Sequence, residues 1–113
     1  MYGYFNIVWI YNFFLYKIVE DLDAYMTLDV GHAHNMKFSV SEMIKSPRIK
    51  HIHLSDNDGN FDNHNALGSA NVDFKSLFKE LVMIGYKGIL VVEVSDPQAV
   101  SESLDFLKNN LKI

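Results

Sequence analysis

The sequence predicts an α/β protein in which three β-strands alternate with three helices. The first observation is a set of short apolar segments at 25–29, 49–54 and 88–94, which have the length and composition of strands. The second is that an N-cap signal and apolar residues at helical spacing follow each of them. Repeated βα units join parallel strands through right-handed crossovers, so we expect one parallel sheet.

The first unit begins with the segment YMTLD (25–29), whose apolar residues predict a short buried strand. Ser39 and Glu42 then form an S-x-x-E capping box directly before the apolar Met43 and Ile44. A helix is therefore expected to follow the first strand.

The second unit begins with the segment IKHIHL (49–54), in which alternate residues point to opposite faces of a strand. One face carries Ile49, His51 and His53, and the other carries Lys50, Ile52 and Leu54. Asp73 is suited to cap the next helix, and Gly85 is suited to end it. The apolar stripe of that helix consists of Phe74, Leu77, Phe78, Leu81 and Val82.

The third unit begins with the segment GILVVEV (88–94), the most apolar of the three strands. Such a composition is typical of a parallel strand that is covered on both faces. Asp96 and Pro97 suit the N-cap and first-turn positions of a last helix. Its apolar stripe consists of Val100, Leu104, Leu107 and Leu111.

Composition indicates an ordinary globular domain of 113 residues, with 49% hydrophobic and 21% charged residues. The chain contains no cysteine, so a metal ion would have to be bound by histidine and carboxylate side chains. The net charge is −4 and no block of basic residues occurs, which argues against nucleic-acid binding. We take the cytoplasm as the default location.

Residues 1–24 form an apolar, aromatic-rich segment that we separate from the repeating units. Asn6, Asn12 and Lys17 interrupt it, so it lacks the continuous apolar length that a membrane span requires. It also lacks the basic start and the small-residue cleavage site of a signal peptide. We expect a mainly helical segment, or a strand and a helix, that packs on other protein surface rather than in a membrane.

The polar residues distinguish a (β/α)₈ barrel from an open sheet. Asp29, His53 and Glu93 each fall at or near the carboxyl end of a predicted strand, which is where barrels of this class build their active sites. An open sheet usually binds its ligand at one switch point with a glycine-rich phosphate loop, and no such motif occurs. The sequence therefore predicts units of a TIM barrel.

Several side chains that bind metals in proteins fall at these strand ends or in the loop after the second strand. They are Asp29, His32, His53, Asp62, His64 and Glu93. A single histidine is more often a packed or hydrogen-bonded residue than a ligand. Three separate elements that each deliver an imidazole or carboxylate to one end of a sheet favour a metal site. The ligand types suit Zn²⁺, Mn²⁺, Fe²⁺ or Co²⁺ without selecting among them.

Three further residues have weaker cases. His34 lies beyond the first turn of its loop. His51 lies deeper in the predicted barrel than His53, where we expect it to orient a ligand or to pack in the core. Asp56 belongs to a run of turn-forming residues, although it can also orient a ligand or substrate.

Four motifs give the sequence a resemblance to the xylose isomerase-like TIM barrels: LDVGHA (28–33), HIHLSDNDG (51–59), DNHNALGSANVDF (62–74) and ILVVEV (89–94). This family includes sugar isomerases and epimerases and the endonuclease IV group of apurinic/apyrimidinic endonucleases. The resemblance implies that the three strands are the sixth, seventh and eighth of the barrel. It places metal ligands at Asp29, His53 and Glu93.

The two branches of the family imply different sites. In the endonuclease branch the positions of His32, Asp62 and His64 are also ligands, which completes a three-metal cluster. In the isomerase branch one metal is usual and the His32 position faces the substrate, so Glu93 and His32 are the candidate catalytic residues. We expect a metal-dependent sugar or sugar phosphate isomerase or epimerase, because no basic surface is evident. An endonuclease, with nucleic acid as its partner, is the alternative.

Two departures from the family pattern matter. Ala70 replaces the second glycine of the usual L-G-x-G sequence, which changes the backbone freedom beside the substrate. A full barrel takes about 250 residues, and three strands cannot close one. We therefore expect residues 25–113 to be a truncated barrel. It would then be completed by a complementary chain or a homo-oligomer, or would be a non-catalytic remnant.

Overall fold

The structure, a computed structural model, describes the backbone of residues 4–6 and 13–16 and the complete residues 17–111. Strands and helices alternate along this part of the chain. They are β1 (Tyr4–Asn6), α1 (Phe13–Asp21), β2 (Tyr25–Asp29), α2 (Val30–Asn35), α3 (Val40–Met43), β3 (Ile49–Leu54), α4 (Phe74–Met83), β4 (Ile89–Val92) and α5 (Pro97–Asn110).

The strands form one parallel sheet in the order β1-β2-β3-β4. The predicted α/β class is therefore confirmed. The sheet has four strands, one more than predicted, because Tyr4–Asn6 pair with the residues from Tyr25 onward. Three-residue strands such as β1 carry too little alternation to be recognised in a sequence.

The described part of the aromatic-rich N-terminal segment contains a strand and a helix, which is one of the two expected arrangements. Val19 on α1 is fully buried and belongs to the main hydrophobic core, so α1 packs on this sheet. The remaining residues of the segment, 1–3 and 7–12, lie outside the described residues. In the part of the chain that is described, no helix has both the length and the apolar character needed to cross a bilayer.

The two faces of the central strands differ in chemistry. Met26 and Leu28 of β2, and Ile52 and Leu54 of β3, are 0% exposed and pack in the helix-covered core. The alternate residues carry polar side chains to the opposite face, as the period of a strand requires. They are Thr27, Asp29, His51 and His53, and the register pairs Thr27 with His51 and Asp29 with His53.

The predicted helix caps are confirmed. The side chains of Ser39, Asp73 and Asp96 each accept a hydrogen bond from a backbone N–H three residues later. Gly85 adopts φ +68° directly after the C-cap of α4, a conformation that glycine adopts without a Cβ penalty. An additional helix, α2, begins immediately after β2, because Asp29 itself serves as its N-cap.

The helix stripes differ in part from prediction. On α4 the first four predicted residues are buried, but Val82 is 45% exposed. On α5 the predicted Val100 and Leu104 are exposed, whereas Ala99 and Ser103 are buried. The Ser103 hydroxyl donates to the Ala99 carbonyl and accepts from the Leu67 N–H. The face of α5 that meets the turn at 67–68 therefore carries small residues, one of which hydrogen-bonds to that turn.

Strand β4 is shorter than predicted and only partly buried. Ile89 is 54% exposed, and the other residues of the strand have intermediate exposure. Among the described strands β4 pairs with β3 alone, which makes it an edge strand and explains its exposure. The predicted coverage of both faces therefore does not hold for this strand in the described sheet.

Candidate metal centre at the strand ends

Asp29, His53 and Glu93 converge at the carboxyl ends of β2, β3 and β4. One possible ligand atom from each residue lies within 4.8 Å of the others. Sheet register produces this convergence: Asp29 pairs with His53, and His53 pairs with Val91, two residues before Glu93 on the same face. The Glu93 N–H donates to the Leu54 carbonyl at 2.9 Å, which fixes the chain where it leaves β4.

Glu93 connects the two histidines of the site. Its Oε2 lies 2.6 Å from His53 Nδ1, and its Oε1 lies 3.5 Å from His64 Nδ1. Its side chain retains 42% exposure, so it borders the solvent side of the cluster. Glu93 is therefore placed to bind a cation through one oxygen and to meet a bound molecule.

Asp29 lies at the buried end of the cluster. Burial raises the pKa of its carboxyl group above the ordinary 3.8, although the hydrogen bond from the His32 N–H opposes this effect. The negative charges of Asp62 and Glu93 raise the same pKa further. A cation among these carboxylates would reverse the effect, because it stabilises their charged forms.

Asp62 forms a second contact group with His32 and His64. Its Oδ2 lies 3.4 Å from His32 Nδ1 and 3.4 Å from His64 Nε2. Its Oδ1 is buried and makes no hydrogen bond. A buried carboxylate oxygen without a partner is costly, and a bound cation would satisfy it.

These residues fit a divalent metal ion. Two carboxylates and an imidazole are ligands that Zn²⁺, Mn²⁺, Fe²⁺ and Co²⁺ share. Within residues 17–111, only Asp29, His53 and Glu93 bring three possible ligand atoms within 4.8 Å of one another. His32, Asp62 and His64 lie beside that group rather than within it.

The remaining sequence candidates lie around the site. The ring of His51 makes an edge contact with that of His53, with centroids 4.8 Å apart, so it supports the ligand from the deeper layer of the sheet. His34 Nε2 lies 2.6 Å from Asn71 Oδ1 and belongs to a hydrogen-bonded contact outside the cluster. Asp56 is fully buried, and its carboxylate accepts backbone N–H groups of the following loop.

Asn57 has a structural role that the sequence reading missed. Its side-chain NH₂ donates to the Gly31 carbonyl at 2.7 Å, and its side-chain oxygen accepts from the Gly59 N–H at 2.8 Å. Asn57 thereby ties the loop after β3 to the start of α2, next to His32. In the sequence Asn57 resembles ordinary turn chemistry, because its partner Gly31 is remote along the chain.

Replacement of Asp29 by asparagine is expected to stabilise the metal-free protein at neutral pH and to abolish stoichiometric metal binding. Asparagine retains the N-cap function for α2 but removes the buried charge. At pH values well below 3.8, Asp29 is protonated in both the folded and the unfolded state, so the charge makes no difference to stability. As the pH rises through the elevated folded-state pKa, ionisation becomes more costly in the folded protein, and wild-type stability falls relative to the variant.

Urea denaturation of both proteins, from below pH 3.8 to neutral pH with a chelator present, would measure this difference. If the difference in unfolding free energy between the wild type and the variant stayed constant across this pH range, that result would contradict the burial of an ionised Asp29. Addition of divalent metal at neutral pH should reverse the order of stability, because only the wild type binds it strongly.

A parallel βα sheet with carboxylates and imidazoles gathered at its strand carboxyl ends is the arrangement of the βα-barrel class of proteins, which build their sites at this end of the strands. The family model described as xylose isomerase-like TIM barrel matches residues 15–110. The chain belongs to this family. The resemblance drawn from the motifs is thereby confirmed, and the match begins ten residues before the boundary predicted at residue 25.

Two kinds of relative extend the comparison. The chain is 32% identical over 107 residues to an uncharacterized protein of Methanocaldococcus jannaschii, covering 88% of this chain and 36% of that protein. It is 29% identical over 115 residues to an inosose dehydratase of Serratia proteamaculans, covering 80% of this chain and 37% of that enzyme. A crystal structure of a D-tagatose 3-epimerase-like protein superposes with a TM-score of 0.75 and 30% identity, over 86% of this chain and 39% of that one.

The chain thus spans less than two fifths of the length of each of these proteins. The predicted partial barrel is confirmed by this coverage and by the parallel sheet. The D-tagatose 3-epimerase-like protein is one solved structure that shares this fold.

Proposed function

We propose that this chain contributes the metal-binding edge of a sugar or sugar phosphate isomerase or epimerase. The observation that carries the proposal is the convergence of Asp29, His53 and Glu93 within 4.8 Å at three adjacent strand ends. These residues would hold one divalent cation. The proposal includes completion of the barrel by a complementary chain or by further copies of this one, and a cytoplasmic location.

When bound, the cation would polarise a carbonyl group of the substrate and stabilise the negative charge that develops on its oxygen. Glu93 borders the solvent side of the cluster and has two oxygens in different contacts, so it is the carboxylate suited to hold a proton taken from the neighbouring carbon. His32 is 33% exposed beside Asp62 and is suited to donate a hydrogen bond to a substrate hydroxyl. His53 and Asp29 would keep the cation in place.

The similar proteins support a sugar-class substrate. One similar structure is a D-tagatose 3-epimerase-like protein, and one curated relative is an inosose dehydratase. The formal charge of −4 adds support, because a protein that binds a phosphodiester backbone usually carries a basic surface.

A second candidate is an endonuclease of the apurinic/apyrimidinic type. Asp62 favours it, because one of its oxygens contacts both His32 and His64 at 3.4 Å and the other is buried without a partner. This arrangement resembles a bridging carboxylate between two further cation positions. Its substrate would be DNA, which the acidic charge balance disfavours.

Metal content and oligomeric state of the purified chain would be measured first, by elemental analysis across a size-exclusion column. The metal-loaded protein would then be incubated in D₂O with a panel of ketoses and ketose phosphates, and separately with duplex DNA that contains an abasic site. Deuterium incorporation at the carbon beside the carbonyl is the expected result. Cleavage of the DNA without deuterium incorporation would favour the endonuclease, and a metal-free, inactive chain would favour a non-catalytic remnant.

A further inference from the structure

We propose that Asp56 is a positioning residue that fixes the loop 65–72 and, through it, the backbone of His64. The inference rests on the proposed function, which makes Glu93 a metal ligand, because the His64 imidazole contacts Glu93 and Asp62. Within residues 17–111, the side chain of Asp56 forms its hydrogen bonds with backbone N–H groups and not with the candidate ligands. Its effect is carried by hydrogen bonds to the backbone of the loop.

The Asp56 carboxylate is 0% exposed and accepts four backbone N–H groups. Its Oδ1 accepts from Asn57 at 2.9 Å and from Val72 at 3.0 Å. Its Oδ2 accepts from Gly68 at 3.0 Å and from Ala70 at 3.1 Å. A carboxylate offers about four lone-pair positions, so none remains for a substrate hydroxyl or a cation. Asp56 therefore orders the loop rather than binding a ligand.

The backbone of Asp56 continues this connection to His64. Its N–H donates to the Asn65 carbonyl at 3.0 Å, and its carbonyl accepts from the Asn65 N–H at 2.9 Å. Asn65 directly follows His64, whose φ of +53° lies in the left-handed region that a residue with a Cβ rarely adopts. Such a conformation persists only where the surrounding structure enforces it.

His64 is held on its other side by the Ser95 N–H, which donates to the His64 carbonyl at 3.0 Å. The Asp56–Asn65 pair and the Ser95 N–H thus hold the backbone of His64 from two sides, one in the loop after β3 and the other in the loop after β4. Its imidazole meets Asp62 on one side and Glu93 on the other as a result. Loss of the hydrogen bonds on either side would allow the His64 backbone to return to an ordinary conformation. The imidazole would then turn away from Asp62 and Glu93.

Ser103 provides a matched control, because it anchors the same loop without any contact to Asp56. Its hydroxyl accepts from the Leu67 N–H at 3.0 Å and is fully buried on α5. Loss of this hydrogen bond should destabilise the loop locally. It leaves intact the hydrogen bonds that the Asp56 carboxylate accepts from Gly68, Ala70 and Val72.

The test compares Asp56→Asn with Ser103→Ala in the metal-free full chain by NMR. Asparagine has the size of aspartate but only one acceptor oxygen, and its NH₂ group would face N–H donors of the loop. We expect hydrogen exchange to accelerate at least about tenfold at Gly68, Ala70 or Val72, and the Cα and Cβ shifts of His64 to move. We also expect Zn²⁺ affinity to fall by about 10- to 100-fold, as for loss of a group that orients a ligand. Ser103→Ala should accelerate exchange at Leu67 and leave His64 and the affinity unchanged.

Unaltered His64 signals in Asp56→Asn would overturn the inference, and so would equal effects of the two variants. A wild-type measurement covers the case in which Asp56→Asn does not fold. Binding of Zn²⁺ should slow exchange at Gly68, Ala70 and Val72, because coupling between His64 and the loop is reciprocal. Zn²⁺ that shifts His53 but neither His64 nor these amides would refute the inference and leave the proposed function standing. Absence of any Zn²⁺ binding would instead refute the proposed function, and the metal-free His64 signals would still decide the role of Asp56.

Discussion

Replacement of Glu93 by glutamine is expected to weaken divalent metal binding by about 100-fold or more. This is the upper end of the losses in metal affinity that follow when a residue that orients a metal ligand is removed. The substitution preserves the size of the side chain but removes the carboxylate that contacts both His53 and His64. It also removes the anionic partner of the His53 imidazole, whereas His64 retains its contact with Asp62. Titration of the metal-free protein with Zn²⁺ or Mn²⁺ by calorimetry measures the change.

Glu102→Gln is the control, because it makes the same chemical change at an exposed position on α5. Glu102 accepts a hydrogen bond from Gln98 and lies outside the strand-end cluster. Its variant should bind metal as the wild type does. Equal affinities of the Glu93 and Glu102 variants would remove Glu93 from the metal site.

Replacement of Phe74 by alanine is expected to lower the free energy of unfolding by about 3–5 kcal/mol. Phe74 is 1% exposed at the start of α4, and its ring packs against those of Phe78 and Phe106 at centroid distances of 5.8 and 6.0 Å. Alanine would leave a cavity among these rings, where α4 meets α5. Urea denaturation followed by circular dichroism measures the loss.

Phe61→Ala is the matched control for stability, since the Phe61 side chain is 71% exposed in the loop before Asp62. Its removal should change the free energy of unfolding by no more than about 0.5 kcal/mol. A loss for Phe74→Ala as small as that expected for Phe61→Ala would show that Phe74 is not part of the folding core. A loss for Phe61→Ala as large as that expected for Phe74→Ala would instead place Phe61 against apolar surface.

Local signals explain why much of the fold could be predicted from the sequence. The strand at 25–29 and the caps Ser39, Asp73 and Asp96 depend on residues within one turn of each other, so the sequence contains the whole interaction. The candidate site was predictable for a related reason. Parallel strands place their carboxyl ends at one edge, so Asp29, His53 and Glu93 needed only the correct strand assignment to be brought together.

Long-range contacts explain what could not be predicted. The strand β1 is recognised by its pairing with β2 and not by its three residues. Ser103 is buried because the Leu67 N–H requires an acceptor there, a need that helical periodicity does not express. Asp56 likewise resembled a turn residue or a substrate contact, because the amides it accepts from lie as far as 16 positions away.

The double use of Asp29 has a consequence for how this position can change by mutation. Its carboxylate both caps α2 through the His32 N–H and points into the candidate metal site. Asparagine or serine would preserve the cap and lose an anionic ligand, whereas glutamate would preserve the charge and lose the cap, whose geometry favours short side chains. Every single substitution therefore removes at least one of two separate functions. A lineage that no longer needed the metal would still be held near aspartate, asparagine or serine here by the helix alone.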